Sequence, residues 1–246
     1  MRQFLLVNIH VDNFLKHHHT LPYYQSGSNP EIFFVSGIHG DEYGVIPFVK
    51  KALEKYGKRL PPYLYIPQAS KTAVASKTRR NKDNVDINRH FFNNTSVIEV
   101  TTIQSLVQRF QFSYTVTFHE DTDEKRFYLY DMGSFLHTTS FFDSLKGDLK
   151  KLGVPLLDGI DDPNDPILGH RFLEGYCALM PGEQIPENGT LEQWLISHII
   201  TEQVLAVEVP GKVSAVLKDK IVDAFFRHII IPLCPVSTVR TRKKLQ

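Results

Sequence analysis

Residues 31–42 have the sequence EIFFVSGIHGDE, in which a short apolar run leads into two glycines, a histidine and two acids. The run is rich in aromatic and β-branched side chains, as expected of a strand buried on both faces of a parallel sheet. Apolar residues at helical spacing follow over residues 43–56 and stop at Gly57. Strand, tight turn and helix form a βα unit, and ligands of open α/β sheets gather at the carboxyl ends of the strands.

His39 and Glu42 are the first candidate ligands, because they follow this strand three residues apart. On the first turn of a helix, such residues project to the same side and could hold one cation. An HxxE pair is also common by chance, and a histidine at the start of a helix is usually a surface or capping residue. The pair therefore needs partners from elsewhere in the chain.

Two more strand ends carry polar groups. Residues 112–118 alternate and are rich in β-forming side chains, and His119 follows them directly. A third apolar run at residues 204–210 contains a single acid, Glu208. His119 could be a satisfied core histidine, and Glu208 could point outward from an edge strand. Polar groups at three strand ends are nevertheless not what a purely structural core predicts, so we favour a shared site.

The chemistry of these residues indicates a hydrolytic metal site. His39, Glu42 and His119 would form a His₂Glu set, which recurs in catalytic zinc sites. A metal ion held in this way lowers the pKa of its water to about 7 and polarises a carbonyl group. A carboxylate must then carry a proton to the leaving nitrogen, and Glu208 suits that task.

A fourth element is NVDINRHF at residues 84–91, preceded by RRN at residues 79–81. The pair Asn88 and Arg89 could clamp a carboxylate, because the guanidinium fork matches two oxygens and the amide donates a further hydrogen bond. A turn followed by a surface arginine would give the same sequence.

Taken in order, HxxE, an arginine, VDINRxF, a histidine after a strand and a strand-borne glutamate resemble the zinc carboxypeptidase superfamily. That superfamily also contains succinylglutamate desuccinylases and aspartoacylases. The resemblance extends from about residue 35 to residue 211. It implies an α/β fold with a mixed, mainly parallel sheet flanked by helices.

The resemblance also implies roles for individual residues. One zinc ion would be bound by His39, Glu42 and His119, and the substrate carboxylate by Asn88 and Arg89. Glu208 would act as general base and then as general acid. An arginine before the Asn-Arg pair would stabilise the oxyanion, and we assign this role to Arg80, with Arg79 as the alternative.

Departures from the large digestive carboxypeptidases leave the substrate open. The chain is shorter, His90 stands where an asparagine is usual, and the substrate-covering tyrosine cannot be placed from the sequence, Tyr176 being the candidate. We favour carboxypeptidase-like cleavage of a small peptide, because the short segment after Glu208 does not suggest the additional β-rich domain of many desuccinylases. The first alternative is deacylation of an N-acyl amino acid, and the second is that the chain is a non-catalytic zinc-binding protein.

Composition and charge limit the class of protein, its binding partners and its cellular location. A length of 246 residues with 42% hydrophobic and 22% charged residues is typical of a folded soluble protein, and we expect residues 1–246 to form a single domain. A net charge of +1 gives no polyelectrolyte surface for nucleic acid. No apolar window approaches the roughly 18 residues of a membrane span, and the N-terminus is too short and polar for a signal peptide. We therefore expect a cytoplasmic protein with no membrane partner.

The remaining expectations concern local structure. Cys177 and Cys234 show no metal-binding spacing and are predicted to be two buried free thiols, with one disulfide between them as the alternative. The histidines at 17–19 are predicted to be solvated in a polar connection over residues 16–30, and residues 154–185 to form long loops. Further strands are predicted at residues 4–9, 64–67 and 126–130, and helices at residues 101–110, 137–152, 190–200 and 214–229, the last two capped by Thr190 and Ser214.

Overall fold

A mixed sheet forms the centre of the protein. The structure is a computed structural model, and it describes residues 9–16, 19–133, 136, 139–164, 169–179 and 187–233. The strands of this sheet are β1 (Ile9–Lys16), β2 (His19–Ser26), β3 (Ile32–Ser36), β4 (Tyr63–Ile66), β5 (Tyr114–Asp121), β6 (Tyr128–Met132), β9 (Tyr176–Leu179) and β10 (Val204–Pro210). A separate small hairpin consists of β7 (Gly159–Ile160) and β8 (Arg171–Phe172). The helices are α1 (Ile46–Tyr56), α2 (Lys71–Ser76), α3 (Ile98–Val107), α4 (Phe141–Lys151), α5 (Leu191–Ser197) and α6 (Ala215–Phe225). Helix α6 continues through a π-helical segment (Phe226–Ile230) into the short helix α7 (Ile231–Leu233), and short 3-10 helices lie at Gly57–Arg59 and Ile87–Arg89.

The strands lie in the spatial order β1-β2-β4-β3-β5-β10-β6-β9. Strands β4, β3, β5 and β10 are mutually parallel. Strand β2 is antiparallel to both of its neighbours, whereas β6 is antiparallel to β10 and parallel to β9. The mixed, mainly parallel sheet predicted from the sequence is thereby confirmed. Because β3, β5 and β10 run in the same direction, their carboxyl ends meet at one edge of the sheet.

Strand β3 shows why its sequence is continuously apolar. All five of its residues are buried, and its four apolar side chains alternate between two hydrophobic clusters. Ile32 and Phe34 face a cluster that contains residues of α1, α4 and α6, whereas Phe33 and Val35 face one that contains residues of α3 and α5. A strand covered by helices on both sides has no polar face, so the period-two alternation of a half-exposed strand is absent.

The helix ends follow the predicted chemistry. Oγ1 of Thr190 accepts a hydrogen bond from the backbone N–H of Gln193, and Oγ of Ser214 accepts one from Leu217, so both predicted caps are confirmed. Helix α1 begins at Ile46, three residues later than predicted, with Pro47 in its first turn. A proline fits there because the first-turn N–H groups lack partners within the helix.

The predicted polar connection over residues 16–30 is wrong, because His19–Ser26 forms β2. Leu21 and Tyr23 are buried in the core, while Pro22 between them is only partly buried. This alternation is that of a strand, but the polar residues at 16–20 and the turn residues Gly27, Asn29 and Pro30 suggested a connection. The predicted loops over residues 154–185 likewise contain the edge strand β9 and the β7–β8 hairpin.

Several predictions fall outside the described residues. These residues include His17, His18, Cys234 and most of the strand predicted at residues 4–9. Cys177 is buried, as predicted. None of the helices in the described ranges is both long and apolar enough to cross a lipid bilayer.

Candidate active site

The turn after β3 brings two of the predicted ligands to the carboxyl edge of the sheet. Gly37 adopts a φ of +62°, which a glycine tolerates without steric cost. Gly40 packs so closely on α2 that an added Cβ would lie 2.0 Å from the carbonyl carbon of Ala73. Its N–H also donates to the carbonyl of Thr78 at 2.9 Å. The two glycines thus fix a tight turn, and His39 and Glu42 lie in this turn rather than in the first turn of a helix as predicted.

His39, Glu42 and His119 converge into one buried group. Their candidate ligand atoms all lie within 4.8 Å of one another. Oε1 of Glu42 is 2.5 Å from Nδ1 of His39, and its Oε2 is 2.9 Å from Nδ1 of His119. The three residues are 4%, 7% and 5% exposed, respectively. Two imidazole nitrogens and a carboxylate therefore point at one small volume, in the arrangement that a single metal ion requires.

A second carboxylate stands behind each histidine. Oδ1 of Asp86 is 3.0 Å from Nε2 of His39, and Oε1 of Glu192 is 3.1 Å from Nε2 of His119. A carboxylate at this nitrogen holds the ring proton on Nε2 and leaves the lone pair of Nδ1 for a metal ion. Both Nδ1 atoms face Glu42, so the chemistry of the donor set fits a divalent cation. Neither Asp86 nor Glu192 was assigned a role from the sequence.

The electrostatics of the group reflect competition between burial and opposite charge. Burial opposes the charged form of His39, but the carboxylates of Glu42 and Asp86 outweigh it and raise the pKa of His39 to about 9. Burial also opposes ionisation of Glu42, yet His39 and His119 hold its pKa well below the usual range. The site thus favours an anionic carboxylate beside two cations, and a metal ion would replace the protons on Nδ1.

Glu208 enters the site from the neighbouring strand. In the register of the sheet, its Cα is paired with that of His119 on β5 and that of Tyr128 on β6. Burial raises the pKa of Glu208 to about 8, and the nearby Glu42 and Asp121 carboxylates act in the same direction against His119. A carboxyl group whose pKa lies near neutrality can both accept and release a proton there.

The predicted arginines line the same cleft, which has a volume of about 990 Å³. Nε of Arg79 donates to Oδ2 of Asp86 at 3.0 Å, so Arg79 is linked through that carboxylate to His39. Arg80 donates to the backbone carbonyl of Asn84 at 3.2 Å, and Arg89 to that of Asn88 at 2.8 Å. The structure therefore brings all three guanidinium groups to the cleft that holds the candidate metal site.

Two predicted substrate residues are placed differently from expectation. Asn88 also lines the cleft but has both amide atoms engaged by the protein, Oδ1 with the N–H of Leu191 at 2.8 Å and Nδ2 with Oε2 of Glu192 at 3.4 Å. Tyr176 lies outside the cleft, contrary to the prediction. The hydroxyl of Tyr176 donates to Oδ2 of the buried Asp131 at 2.7 Å. The side chain therefore points from β9 toward the core.

The tyrosines that do line the cleft are Tyr128 and Tyr130 on β6. The hydroxyl of Tyr128 donates to Oδ2 of Asp121 at 2.8 Å, and that of Tyr130 donates to Asp161. The pairing of Tyr128 with Glu208 places it beside the candidate base. Sequence alone did not single out either residue, because both belong to an ordinary strand pattern.

Comparison with known proteins identifies the fold. No protein-family model matches the chain, and no curated protein is similar to it in sequence. A candidate metallopeptidase from Shewanella amazonensis superposes with a TM-score of 0.71 and 19% identity, over 93% of this chain and 88% of the other. A metallo-carboxypeptidase from Burkholderia cenocepacia gives a TM-score of 0.59 and 12% identity, over 92% of this chain and 66% of the other.

A succinylglutamate desuccinylase from a Silicibacter species is also similar, with a TM-score of 0.53 and 14% identity over 87% of this chain. The chain spans 60% of the length of that protein. The likeness at these identities is one of fold. The protein thus has a zinc carboxypeptidase-like fold, as the sequence predicted.

Proposed function

We propose that the protein is a metal-dependent hydrolase that cleaves a C–N amide bond in a small substrate with a free carboxylate. The observation that carries this proposal is the convergence of His39, Glu42 and His119 beside Glu208 in one cleft. The fold similarity to metallopeptidases and a desuccinylase supports the same class of reaction.

Zinc is the ion that we propose for the site. A His₂Glu set with a further position left open is a recurrent arrangement in zinc hydrolases. When bound there, the ion would supply a water of lowered pKa and polarise the carbonyl of the substrate. The carboxylates of Asp86 and Glu192 would keep the two imidazoles oriented toward it.

Glu208 is the proposed proton carrier. Its carboxylate would take a proton from the attacking water and deliver it to the departing nitrogen. Its position opposite His119 keeps it on the face of the sheet that carries the ligands. In the metal-free site, burial and the neighbouring carboxylates of Glu42 and Asp121 raise the pKa of Glu208, which favours the protonated form that this role requires between the two steps.

The arginines are the proposed anion-binding groups. Arg89 would bind the substrate carboxylate, since it lines the cleft and is only partly buried. For the negative charge that develops on the carbonyl oxygen we now favour Arg79 over Arg80. Arg79 is linked to His39 because both residues hydrogen-bond to Asp86. Arg80 instead donates to the backbone carbonyl of Asn84, which does not belong to the candidate ligand group.

Carboxypeptidase-like removal of a terminal residue is the preferred reaction. The fold similarity to a metallo-carboxypeptidase supports this preference, with a TM-score of 0.59 against 0.53 for the desuccinylase. Removal of an acyl group from an N-acyl amino acid is the second candidate, supported by the fold similarity to that desuccinylase. Non-catalytic zinc binding is the third, and it gives no role to the carboxylate of Glu208.

A paired substrate screen tests this proposal. The zinc-loaded protein is incubated with a panel of short peptides and with N-acetyl and N-succinyl amino acids, and released amines are quantified. We expect release from peptides, and none from Glu208→Gln. Release from the acylated set alone would replace the first candidate by the second, and the absence of release from both sets would leave only non-catalytic binding.

A further inference from the structure

We propose that Asn88 and Glu192 form a positioning pair that holds His119 in its metal-binding orientation, so that Asn88 serves the metal site. This inference depends on the metal site of the proposed function and assigns two further residues to it. It differs from the role expected of Asn88, which was to donate a hydrogen bond to the substrate carboxylate.

Glu192 connects the two halves of the pair. It lies in the first turn of α5 and is 3% exposed. Its Oε1 contacts Nε2 of His119 at 3.1 Å, while its Oε2 contacts Nδ2 of Asn88 at 3.4 Å. The two oxygens belong to one planar group, so a partner on Oε2 also restricts the direction in which Oε1 faces His119.

The orientation of the Asn88 amide follows from its other contact. The backbone N–H of Leu191 can only donate, and it lies 2.8 Å from the Asn88 side chain, so the atom at that position must be the oxygen Oδ1. The nitrogen Nδ2 is then the atom that faces Glu192. Asn88 is 5% exposed, and both of its polar atoms are satisfied inside the protein. Nδ2 carries two hydrogens, and the contact with Glu192 uses one of them.

The backbone around the pair keeps the two segments in register. The N–H of Phe91 donates to the carbonyl of Gly189 at 2.9 Å. Gly189 has a φ of +75°, and an added Cβ would lie 2.5 Å from the carbonyl oxygen of Arg89. The Asn-Arg segment and the segment before α5 are therefore in direct contact, and this contact places Asn88 where it can hold Glu192.

Zinc affinity provides a test that does not depend on a substrate. Zn²⁺ is titrated against a chromophoric chelator in competition with the wild type, Asn88→Ala, Glu192→Gln and the double variant. In Glu192→Gln the new amide cannot accept from both His119 and Asn88, so one contact must be lost. Loss of a carboxylate behind a ligating histidine typically weakens metal affinity by about 10- to 100-fold. We expect a loss of this size for Glu192→Gln and a smaller, severalfold loss for Asn88→Ala.

The double variant and a matched control make the test specific. Since both residues act through one carboxylate, the combined loss should be smaller than the product of the single losses. The control is Asp131→Asn, because Asp131 is a fully buried carboxylate that accepts from Leu136, Tyr176 and Gln203 away from the ligands. Its zinc affinity should stay within about twofold of the wild type.

Two outcomes would overturn the inference. One is an unchanged zinc affinity in both single variants while thermal unfolding shows them to be folded. The other is a double variant whose loss equals the product of the single losses. Failure of the wild type itself to bind one equivalent of zinc would contradict the metal site of the proposed function, so the two failures are distinguishable.

Discussion

Glu208 lies directly beside His119, because the two residues are Cα partners in the parallel register of β10 and β5. Partner residues of adjacent strands project to the same face of a sheet. The candidate base is therefore brought to the ligand group by the register of two buried strands. A slip of one residue would turn Glu208 to the opposite face, where the hydrophobic cluster around α6 lies.

Zinc should stabilise the folded protein through the three proposed ligands, His39, Glu42 and His119. At a free zinc concentration of about 100 times Kd, binding adds about 2.7 kcal/mol to the free energy of unfolding, or roughly 5–10 °C in Tm for a chain of this size. We expect this shift in the wild type and its loss in His39→Ala, measured by thermal unfolding with and without Zn²⁺. The control His198→Ala, which removes a partly exposed histidine outside the ligand group, should retain it. An equal shift in both variants would contradict the ligand assignment.

Replacement of Gly40 should destabilise the turn that carries the ligands. In Gly40→Ala the new Cβ would lie 2.0 Å from the backbone of Ala73, so the turn or α2 must move. We expect a loss of about 2–4 kcal/mol in the free energy of unfolding, measured with urea, and a weakened zinc affinity. Gly147→Ala in α4 is the matched control, since nothing lies within 4 Å of its Cβ position. That change should be neutral or stabilising by up to about 1 kcal/mol. Equal stability of the two variants would show that the turn adapts.

Arg89 should govern the binding of substrates with a free carboxylate. We expect Arg89→Ala to raise KM about 10- to 100-fold with a smaller effect on kcat, since a charged hydrogen bond contributes about 1.5–3 kcal/mol. Steady-state kinetics with a peptide and its C-terminal amide provide the measurement, and the amide should be insensitive to the change. The control Arg59→Ala removes an exposed arginine outside the cleft. A fall in kcat at unchanged KM would instead place Arg89 at the reacting carbonyl.

Alkaline pH should destabilise the protein through Tyr63. Burial raises the pKa of its hydroxyl to about 12, with a further contribution from Glu54. The unfolded chain releases this proton near pH 10, so the stabilising contribution is complete below that value and is lost as pH rises toward 12. We expect the wild type to lose roughly 1–2 kcal/mol more than Tyr63→Phe between pH 9 and pH 12 in urea unfolding. Parallel losses in both proteins would contradict the assignment.

How much the sequence could predict depended on the range of the interactions. His39, Glu42, His119 and Glu208 were found because each stands at the end of a strong apolar run, and parallel strands end at a common edge. Asp86 lies two residues before Asn88, within the segment 84–91 that had already been selected from the sequence. Its proximity to Asn88 was therefore the sequence feature that could have indicated a role for Asp86.

Glu192 had no such signal. It is 73 residues from His119 and reaches it only through the packing of α5 on the sheet. Its sequence neighbours describe an ordinary capped helix, and a glutamate in the first turn of a helix needs no functional explanation. For the same reason the partners of the Asn88 amide were not predicted, because Leu191 and Glu192 belong to a distant segment.

The most direct test of the central claim is the activity and zinc content of Glu208→Gln. The isosteric amide cannot carry the proton, so hydrolysis of the best substrate should fall by about 10²- to 10⁴-fold while one zinc ion remains bound. Glu202→Gln, an exposed glutamate in the segment before β10, should retain full activity. Undiminished hydrolysis by zinc-loaded Glu208→Gln would contradict the proposed mechanism.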